Sequence, residues 1–475
     1  MSLSLAMSSA LSGLSLSKRG TQTVADNIAN ANTDGYGVRS VTQAARSVGG
    51  NGNGVAFTGI SRQADQALIG ELRNASSQKE NALLLGAFLQ KAETGLGLPG
   101  ETGSLSNAVI ELETALQRAR QSPDEPALIQ QITQAARDIT TKLSTVGQSL
   151  LSERDRADAA IEKDVTWLNN TLESIAGLNR EIQRQSLLGG APEGLMDVRQ
   201  NLIDQVAEKL PIREFPREDG RVLLMAQDGS VLVDRDAAKF DFTRTLDPSA
   251  QDILLPRVSL NGRDISESNP IFSSGQIGAN LQIRDTSAPE AMRRLDAFAT
   301  DLIERFTPAA LMQDITTIPV AFGIFSLRGQ SSFEGFAPGI SSQIEVNPIV
   351  IDEPWRIRTG VDAVAPGPVA DNVNLDRMVQ AMQRNTLIPG QISSGRDVQG
   401  HVTEILSYIG SERLALDQRI SRDVSRFTAL NETLATQGVD TDAELSKLLV
   451  LEQAYAANAR VLSTIDAMMR TLLEI

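Results

Sequence analysis

The segment Asn27–Tyr36, "NIANANTDGY", ends a stretch that otherwise has the pattern of one helix reaching back to the N-terminus. This helix carries little charge, so we expect it to pack against partners rather than face solvent. Gly35 supplies the positive φ that a turn after the helix requires. Positions alternately four and three apart form a heptad seam of apolar, small and hydroxyl side chains: Leu3, Met7, Ala10, Leu14, Ser17, Thr21, Val24 and Ile28.

The other end of the chain carries a matching seam. Within "GVDTDAEL", Gly438–Leu445, Thr441 and Glu444 have the spacing of a capping box, and a helix is predicted from there to Ile475. One seam position is polar, Asn458, a residue type that often fixes the register of paired helices. We therefore expect the two terminal helices to pair as a coiled coil. The C-terminal seam consists of Leu448, Leu451, Tyr455, Asn458, Leu462, Ile465, Met469 and Leu472.

Composition excludes several classes of function. The chain has 475 residues, a net charge of -15 and no cysteine. The acidic excess argues against a nucleic-acid surface, and the lack of cysteine excludes disulfides and thiolate chemistry. His401 is the only histidine, so a histidine-rich metal cluster cannot be built, and we expect this side chain to be exposed at a helix start. No apolar run approaches the ~20 residues of a membrane span, and the serine-broken N-terminus is unlike a cleaved signal peptide.

Short motifs that suggest enzymes lack their partner sequences. Ser15–Lys18 fits S-x-x-K, but no K-T-G sequence accompanies it. Gly49–Gly54 is glycine-rich without a following G-K-[ST], so we predict a loop there. The carboxylates of Val439–Glu444 lack the glycine and the spacing of a calcium loop. No catalytic, cofactor-binding or metal-binding residue is predicted, and we expect the protein not to be an enzyme.

The first half of the middle region is predicted to be helical over unusual lengths. Patterns of apolar residues predict helices at 61–90 and 105–120. A near-heptad face then predicts one helix from Ala127 to Leu187, about 90 Å long at the usual rise per residue. A helix of this length needs neighbours along its flank.

A β-rich insert follows this helix. Apolar runs on both sides of Asp228-Gly229 predict one hairpin, and Asn261-Gly262 predicts a second. Ser287, with Pro289 and Glu290 after it, then predicts a capped helix start.

Both ends of the chain resemble a known family. "ADNIANANTDGYGVRS", Ala25–Ser40, resembles the N-terminal signature of the bacterial flagellar axial proteins, and Leu448–Ile475 resembles their C-terminal signature. Hook and rod proteins of this family have β-rich middles, whereas the helical middle here resembles the hook-associated members at the hook–filament junction. The family's signature turn falls on Asn30, Asn32, Thr33, Gly35 and Tyr36. The implied assembly interface is Leu3, Met7, Leu14, Val24, Ile28, Leu448, Leu451, Tyr455, Asn458, Leu462, Ile465, Met469 and Leu472.

Pattern and resemblance together predict a mainly α fold with a smaller β-rich part. We expect terminal helices paired as a coiled coil, an elongated helical middle domain with one long helix, and an insert rich in β-hairpins. A further β-domain of relatives is expected to be missing, which leaves a connector rather than an independent fold. The predicted divisions are 1–60 with 435–475 (terminal domain), 61–210 with 286–434 (helical domain), 211–285 (β-rich subdomain) and 307–340 (connector).

The resemblance implies a structural subunit that forms the junction layer between hook and filament. Implied partners are further copies of the chain, the hook protein, a second junction protein on the filament side, the flagellar export apparatus and a dedicated export chaperone at the C-terminal helix. Nucleic acid, membranes and cofactors are not expected. The protein would be extracellular, exported by the flagellar type III route without a cleaved signal peptide. The alternatives are another axial protein, such as a hook or distal-rod subunit, and a secreted adhesin or enzyme with borrowed export termini.

Overall fold

A computed structural model describes residues 3–33, 35–48, 51–63, 65–188, 190, 192–245, 255–265, 269–312, 320–387 and 395–473. Helices dominate and the strands form small antiparallel sheets, so the predicted mainly α class with a smaller β-rich part is confirmed. The helices are α1 (Leu3–Ala29), α2 (Gln66–Leu96), α3 (Leu105–Gln121), α4 (Pro126–Leu187), α5 (Glu193–Lys209), α6 (Gly275–Gln282), α7 (Ala288–Arg305), α8 (Pro308–Leu311), α9 (Ile340–Gln343), α10 (Pro348–Asp352), α11 (Trp355–Thr359), α12 (Val373–Gln383), α13 (Val398–Thr436) and α14 (Thr441–Leu473). The strands are β1 (Val38–Val48), β2 (Asn51–Gln63), β3 (Ile212–Pro216), β4 (Val222–Ala226), β5 (Val231–Val233), β6 (Phe240–Asp241), β7 (Ser259–Leu260), β8 (Arg263–Asp264), β9 (Phe325–Leu327) and β10 (Ile344–Val346).

The chain divides into two compact units. Unit 1 draws on 1–78, 167–239 and 423–475, and unit 2 draws on 79–166 and 240–422. The chain ends therefore share a unit with α5 and with the β3–β4–β5 sheet. The long helices α2, α4 and α13 each contribute residues to both units.

The long helix predicted from the heptad face is confirmed. α4 runs over 62 residues, and its start and end agree with the predicted bounds to within one residue. Its apolar face supplies fully buried side chains to the core of unit 2, among them Ile132, Ile139 and Leu143. The neighbouring helix α3 begins where Ser104 Oγ accepts the backbone N–H of Asn107, an ordinary N-cap.

A long hairpin follows α1, and the sequence did not predict it. β1 and β2 pair antiparallel, with Val38 opposite Gln63 and Val48 opposite Asn51. The loop predicted at Gly49–Gly54 is wrong within the described residues, because Asn51 onward belongs to β2. The helix predicted from residue 61 begins only at Gln66. No hairpin side chain whose exposure is described is buried, so apolar alternation gave no strand signal.

Both hairpins predicted in the β-rich region are confirmed. β4 pairs with β5 around Gly229, whose φ is +88°. β7 pairs with β8 around Asn261 and Gly262, whose φ values are +51° and +76°. Such left-handed conformations are those that Asn-Gly turns adopt at little cost.

The segment 320–340 contributes to the core of unit 2. Its strand β9 pairs with β10, and Phe325 packs edge-on against Phe306 with ring centroids 5.5 Å apart. Ile324 and Phe325 have no measurable exposure. The predicted connector is thus a packed part of this unit, although residues 313–319 lie outside the described chain.

Two local predictions in unit 2 are wrong. Ser287 has helical backbone angles and makes no capping hydrogen bond, because a π-helical turn, Ile283–Ser287, continues α6 directly into α7. His401 is not exposed: it retains 1% of its accessible surface, and its Nε2 lies 3.1 Å from the carbonyl oxygen of Thr386. The chain around Thr386 pairs with Arg396 and folds against the start of α13, which removes this histidine from solvent.

Candidate assembly interface

The terminal helices α1 and α14 pack against each other antiparallel. Their facing positions advance by seven residues on one helix and retreat by seven on the other, as a heptad repeat requires. The facing pairs are Gly13 with Asn458, Gly20 with Leu451, and Asn27 with Glu444.

Glycines allow a close approach of the two backbones. A Cβ atom placed on Gly20 would lie 2.9 Å from Cδ2 of Leu451, and one on Gly13 would lie 2.7 Å from Nδ2 of Asn458. Both distances are too short for real carbon contacts. Small residues on the same face, Ala10 and Ser17, are also buried. The seam on α1 is therefore made of small side chains, and α14 supplies the large ones.

Asn27 is fully buried, and both ends of its side-chain amide are paired. Its Nδ2 donates to a carboxylate oxygen of Glu444 at 3.0 Å and to the carbonyl oxygen of Arg39 at 2.9 Å. Its Oδ1 accepts the hydroxyl of Tyr36 at 2.8 Å and the backbone N–H of Arg39 at 3.0 Å. One side chain thus ties together both terminal helices, the turn after α1 and the first residues of β1. We call Asn27, Tyr36, Arg39 and Glu444 the Asn27 cluster.

Tyr36 joins this cluster to the turn that ends the N-terminal helix. Burial raises the pKa of the Tyr36 phenol, so this side chain remains a neutral hydrogen-bond donor to Asn27. The guanidinium of Arg39 lies 4.8 Å from the centre of the Tyr36 ring. Gly35 has the predicted positive φ, +76°, and the side chain of Asn201 leaves no room there for a Cβ atom.

The other signature residues build the turn itself. The side-chain N–H of Asn30 donates to the backbone carbonyl oxygen of Asp26 at 2.9 Å. The backbone carbonyl oxygen of Asn30 accepts the backbone N–H of Thr33 at 2.9 Å. The Thr33 hydroxyl lies 3.3 Å from Asn30 Oδ1. Asn32 is exposed. These contacts close the turn and direct Tyr36 back towards Asn27.

The capping box predicted at Thr441 and Glu444 is wrong. Asp440, one residue earlier, caps α14: its Oδ1 accepts the backbone N–H groups of Asp442 and Ala443, both at 3.0 Å. The Glu444 carboxylate does not cap the helix and instead accepts a hydrogen bond from Asn27 of α1. Lys447, one turn later, donates to the second carboxylate oxygen at 3.1 Å.

An ion cluster fixes the base of the hairpin on α5. Asp197 accepts from Arg39 at 2.5 Å and from Arg62 at 2.8 Å, so the first residues of β1 and the last of β2 share one carboxylate. All three side chains are mostly buried, which makes the pairs less screened than surface ion pairs. The backbone N–H of Gly37 also points to Asp197, at 3.4 Å. The hairpin is therefore held at its base by α5.

The predicted interface residues whose side chains are described fall into three groups. Val24 and Ile465 are buried within the described chain. Met7, Tyr455 and Met469 are exposed, with 45%, 50% and 45% of their surface accessible to solvent. A third group is less exposed but not fully buried: Leu3, Leu14, Ile28, Leu448, Leu451, Asn458 and Leu462. The side chain of Leu472 lies outside the described part of the chain.

α14 also presents a broad apolar surface that the described chain does not cover. A soluble monomer seldom leaves so many large apolar side chains exposed along one element. α1 adds Met7 and Leu11. The exposed apolar residues of α14 are Leu445, Leu449, Val450, Tyr455, Val461, Met468 and Met469.

The sequence did not single out Gly13, Gly20 and Asn27. The predicted seam on α1 shares Ala10, Ser17 and Val24 with the buried face. Its members Leu14, Thr21 and Ile28 each lie one residue after a residue that faces α14, namely Gly13, Gly20 and Asn27. Glycine and asparagine carry no hydrophobic signal, so a seam made of them is invisible to apolar periodicity. Their seven-residue spacing was the available signal.

The described residues contain no group of three or more His, Cys, Asp or Glu side chains placed to hold a metal ion. Among the same residues, no helix is long and apolar enough to cross a membrane.

Three family descriptions match separate parts of the chain. Residues 90–309 match the helical domain of flagellar hook-associated protein FlgK. Residues 431–475 match the C-terminal part of the flagellar basal body rod FlgEFG proteins, and residues 7–36 match flagella basal body rod protein. The two terminal matches coincide with α14 and α1, and the first covers α3 to α7.

Relatives match over the whole chain. Flagellar hook-associated protein 1 of Escherichia coli is 22% identical, with all of both chains aligned. Flagellar hook-associated protein 1 of Bacillus subtilis is 21% identical over 98% of this chain and 97% of its own. A solved structure of the flagellar hook junction protein FlgK from Burkholderia pseudomallei aligns with a TM-score of 0.45 and 17% identity, over 54% of this chain and 46% of that one.

Proposed function

We propose that this chain is a member of the family of flagellar hook-associated protein 1 and a structural subunit of the bacterial flagellum that forms the junction between hook and filament. The structural observation that carries this proposal is the α1–α14 pair. Its inner seam is closed by glycines, while large apolar side chains of α14 remain exposed on its outside. Such a surface suits burial against neighbouring subunits in a wall.

The proposed assembly interface consists of the terminal segments 1–60 and 435–475. Within it, the exposed Met7, Tyr455 and Met469 would contact other copies of the chain. The buried members, such as Val24 and Ile465, hold the two helices of one copy together. A structural subunit of this kind acts through geometry and needs no reacting groups.

The proposed partners follow from the proposed position between hook and filament. The subunit would contact further copies of itself, the hook protein on one side and a second junction protein on the filament side. Before assembly it would pass through the flagellar export apparatus, with a dedicated chaperone at the C-terminal helix. The flagellar type III route would carry it out of the cell, where it would then act.

The helical match at residues 90–309 favours a hook-associated protein over the nearest alternative, a hook or distal-rod subunit. The matches at the two ends fit either, because their descriptions name basal body rod proteins. We also propose that the connector stands where relatives carry a further β-domain. The alignment with the Escherichia coli relative extends over 557 positions, more than the 475 residues of this chain, so that relative has residues that this chain lacks.

Deleting the gene from the source bacterium tests the proposal. Electron microscopy should show hooks of normal shape without filaments, and the filament subunit should appear in the medium. Restoring the full chain from a plasmid should restore filaments. Cells that lack hooks altogether would indicate a rod or hook subunit, and cells with normal filaments would refute the proposal.

A further inference from the structure

Methionine is the main side chain of this protein that peroxides can oxidise, because the chain contains no cysteine. Within the described part of the chain, four methionines are exposed: Met7, Met312, Met468 and Met469, with 45%, 64%, 51% and 45% of their surface accessible to solvent. Three of these four lie on α1 and α14. In contrast, Met378 in the core of unit 2 has no accessible surface. Oxidation of the free chain is therefore directed mainly to the terminal helices.

The three exposed methionines of the terminal helices lie near one end of the helix pair. Gly13 faces Asn458, and the two helices run antiparallel. Met7 comes six residues before Gly13, whereas Met468 and Met469 come ten and eleven residues after Asn458. At the usual rise per residue, Met7 is thus only about 6–8 Å from the other two along the helix axis. We call these three residues the methionine cluster.

Oxidation changes such a side chain from apolar to polar. Hydrogen peroxide transfers one oxygen atom to the thioether sulfur: the O–O bond breaks, a sulfur–oxygen bond forms, and the other oxygen leaves as water with both hydrogens. The sulfur loses two electrons and the peroxide gains them, which gives methionine sulfoxide. The sulfoxide oxygen is a hydrogen-bond acceptor, so its burial against an apolar surface is unfavourable unless a donor meets it.

We infer that the methionine cluster is an oxidation site through which hydrogen peroxide prevents the free subunit from joining the assembly. This inference rests on the proposed function, in which the exposed apolar side chains of α1 and α14 become buried against neighbouring copies, and it adds a regulation of that interface. The three thioethers are open to peroxide only before assembly, and their sulfoxides oppose the burial that assembly requires. Methionine sulfoxide reductases remove the added oxygen, so the block is reversible.

Peptide mass spectrometry after treatment with hydrogen peroxide tests the site on the full chain, free and bound to purified hooks from a strain that lacks the gene. In the free chain, the methionine cluster should be oxidised about tenfold or more faster than the buried Met378. On hooks, the oxidation of the cluster should slow by a similar factor. Met312 is exposed but lies in unit 2, outside the terminal segments, so it should react at the same rate in both states and serves as the internal control.

Incorporation on hooks measures the consequence of oxidation. The oxidised wild-type chain should incorporate about tenfold less than the untreated chain, because polar groups then have to be buried. Treatment of the oxidised chain with both methionine sulfoxide reductases and a thiol should restore incorporation. Met312→Leu is the matched control and should remain as sensitive to peroxide as the wild type.

Removal of the thioethers gives an independent comparison. A chain with Met7→Leu, Met468→Leu and Met469→Leu keeps apolar side chains of similar volume that peroxide does not oxidise. Its incorporation should be the same before and after peroxide treatment, whatever its level before treatment. If this triple variant does not assemble, reduction of the oxidised wild-type chain decides the question.

The possible outcomes separate this inference from the proposed function. An untreated full chain that does not bind hooks would refute the proposed function, and the inference would fail with it. If the untreated chain binds hooks and the chain oxidised at the methionine cluster binds equally well, the inference is overturned while the junction role stands. Oxidation of the cluster no faster than that of Met378, equal oxidation in the free and bound states, or no recovery after reduction would also overturn it.

Discussion

The Nδ2 atom of Asn27 lies 3.0 Å from a carboxylate oxygen of Glu444, and this hydrogen bond joins residues 417 positions apart. Both side chains are buried where α1 and α14 meet. Because the same Asn27 amide also holds Tyr36 and the backbone of Arg39, the turn, the hairpin and the two chain ends are fixed by one side chain. The conformation of the terminal helix pair should therefore depend strongly on this single residue.

Asn27→Ala should destabilise the terminal helix pair. The change removes the partner of the partly buried Tyr36 hydroxyl and Arg39 N–H and of one oxygen of the buried Glu444 carboxylate, whose other oxygen keeps Lys447. Each polar group that loses its partner costs about 1–3 kcal/mol, less where water can reach it. We expect a total loss of about 3 kcal/mol, measured by hydrogen exchange at α14 amides. Asn32→Ala, in the same turn but exposed, is the matched control and should change stability by less than about 0.5 kcal/mol. Equal effects of the two changes would contradict the role of the Asn27 cluster.

Gly20→Ala should push the terminal helices apart. Its new methyl group would meet Leu451 at 2.9 Å, and overpacking of this kind costs about 1–3 kcal/mol. Gly70→Ala in α2 is the control, because nothing lies within 4 Å of a Cβ there. It should stabilise the protein by about 0.5–1 kcal/mol through helix propensity. Both changes gain similar helix propensity, so the difference between the two variants in chemical denaturation isolates the packing cost at Gly20. Equal effects of the two changes would show that the helices are not closely packed at this point.

Asn458→Leu should alter assembly more than stability. Asn458 faces Gly13, and its side-chain N–H donates a hydrogen bond to the carbonyl oxygen of Ala454 in its own helix. This hydrogen bond therefore does not connect α14 to α1. Leucine of similar size should leave the stability of the pair equal or higher, while removing a polar group that disfavours other registers. Mixed or irregular assemblies in electron micrographs are the expected result. Wild-type geometry with unchanged partner selectivity would exclude a register role for Asn458.

Phe325→Ala should strongly destabilise unit 2. The ring is fully buried and packs on Phe306, and removing such a ring costs about 3–5 kcal/mol. Phe336→Ala changes a ring of the same segment that is 43% exposed, and it should have a much smaller effect. The midpoints of thermal unfolding give both values. Similar midpoints would mean that the segment 320–340 is dispensable, and the wild-type stability of a variant lacking it would mean the same.

Long periodic segments and turns with a strong residue preference could be predicted from the sequence, whereas strands without a buried face could not. The heptad face of α4 extends over many turns, so its bounds were found to within one residue. The hairpin turns at Gly229 and Gly262 were also found, because Asp-Gly and Asn-Gly have a strong preference for that conformation. In contrast, β1 and β2 bury no described side chain and β2 contains several glycines, so nothing in their pattern distinguished them from a loop.

The candidate site was only partly predictable for a related reason. The signature turn lies where it was predicted, at the end of α1, but the predicted α1 seam shares only Ala10, Ser17 and Val24 with the buried face. Asn27 was not predicted, because a buried polar residue is favourable only through partners that are distant in sequence. The same holds for His401, whose burial depends on Thr386. The position of the α14 cap also shifted from Thr441 to Asp440, since both residues have suitable side chains and only geometry decides between them.

Localisation of the protein in intact flagella tests the central claim most directly. A tag inserted at the exposed Asp236, in unit 1 but outside the proposed interface, can be labelled with gold and seen by electron microscopy. The account predicts label in one narrow band where the hook meets the filament, and none along the hook, the rod or the filament. Label distributed along the hook or in the basal body, or no label on the flagellum, would contradict it.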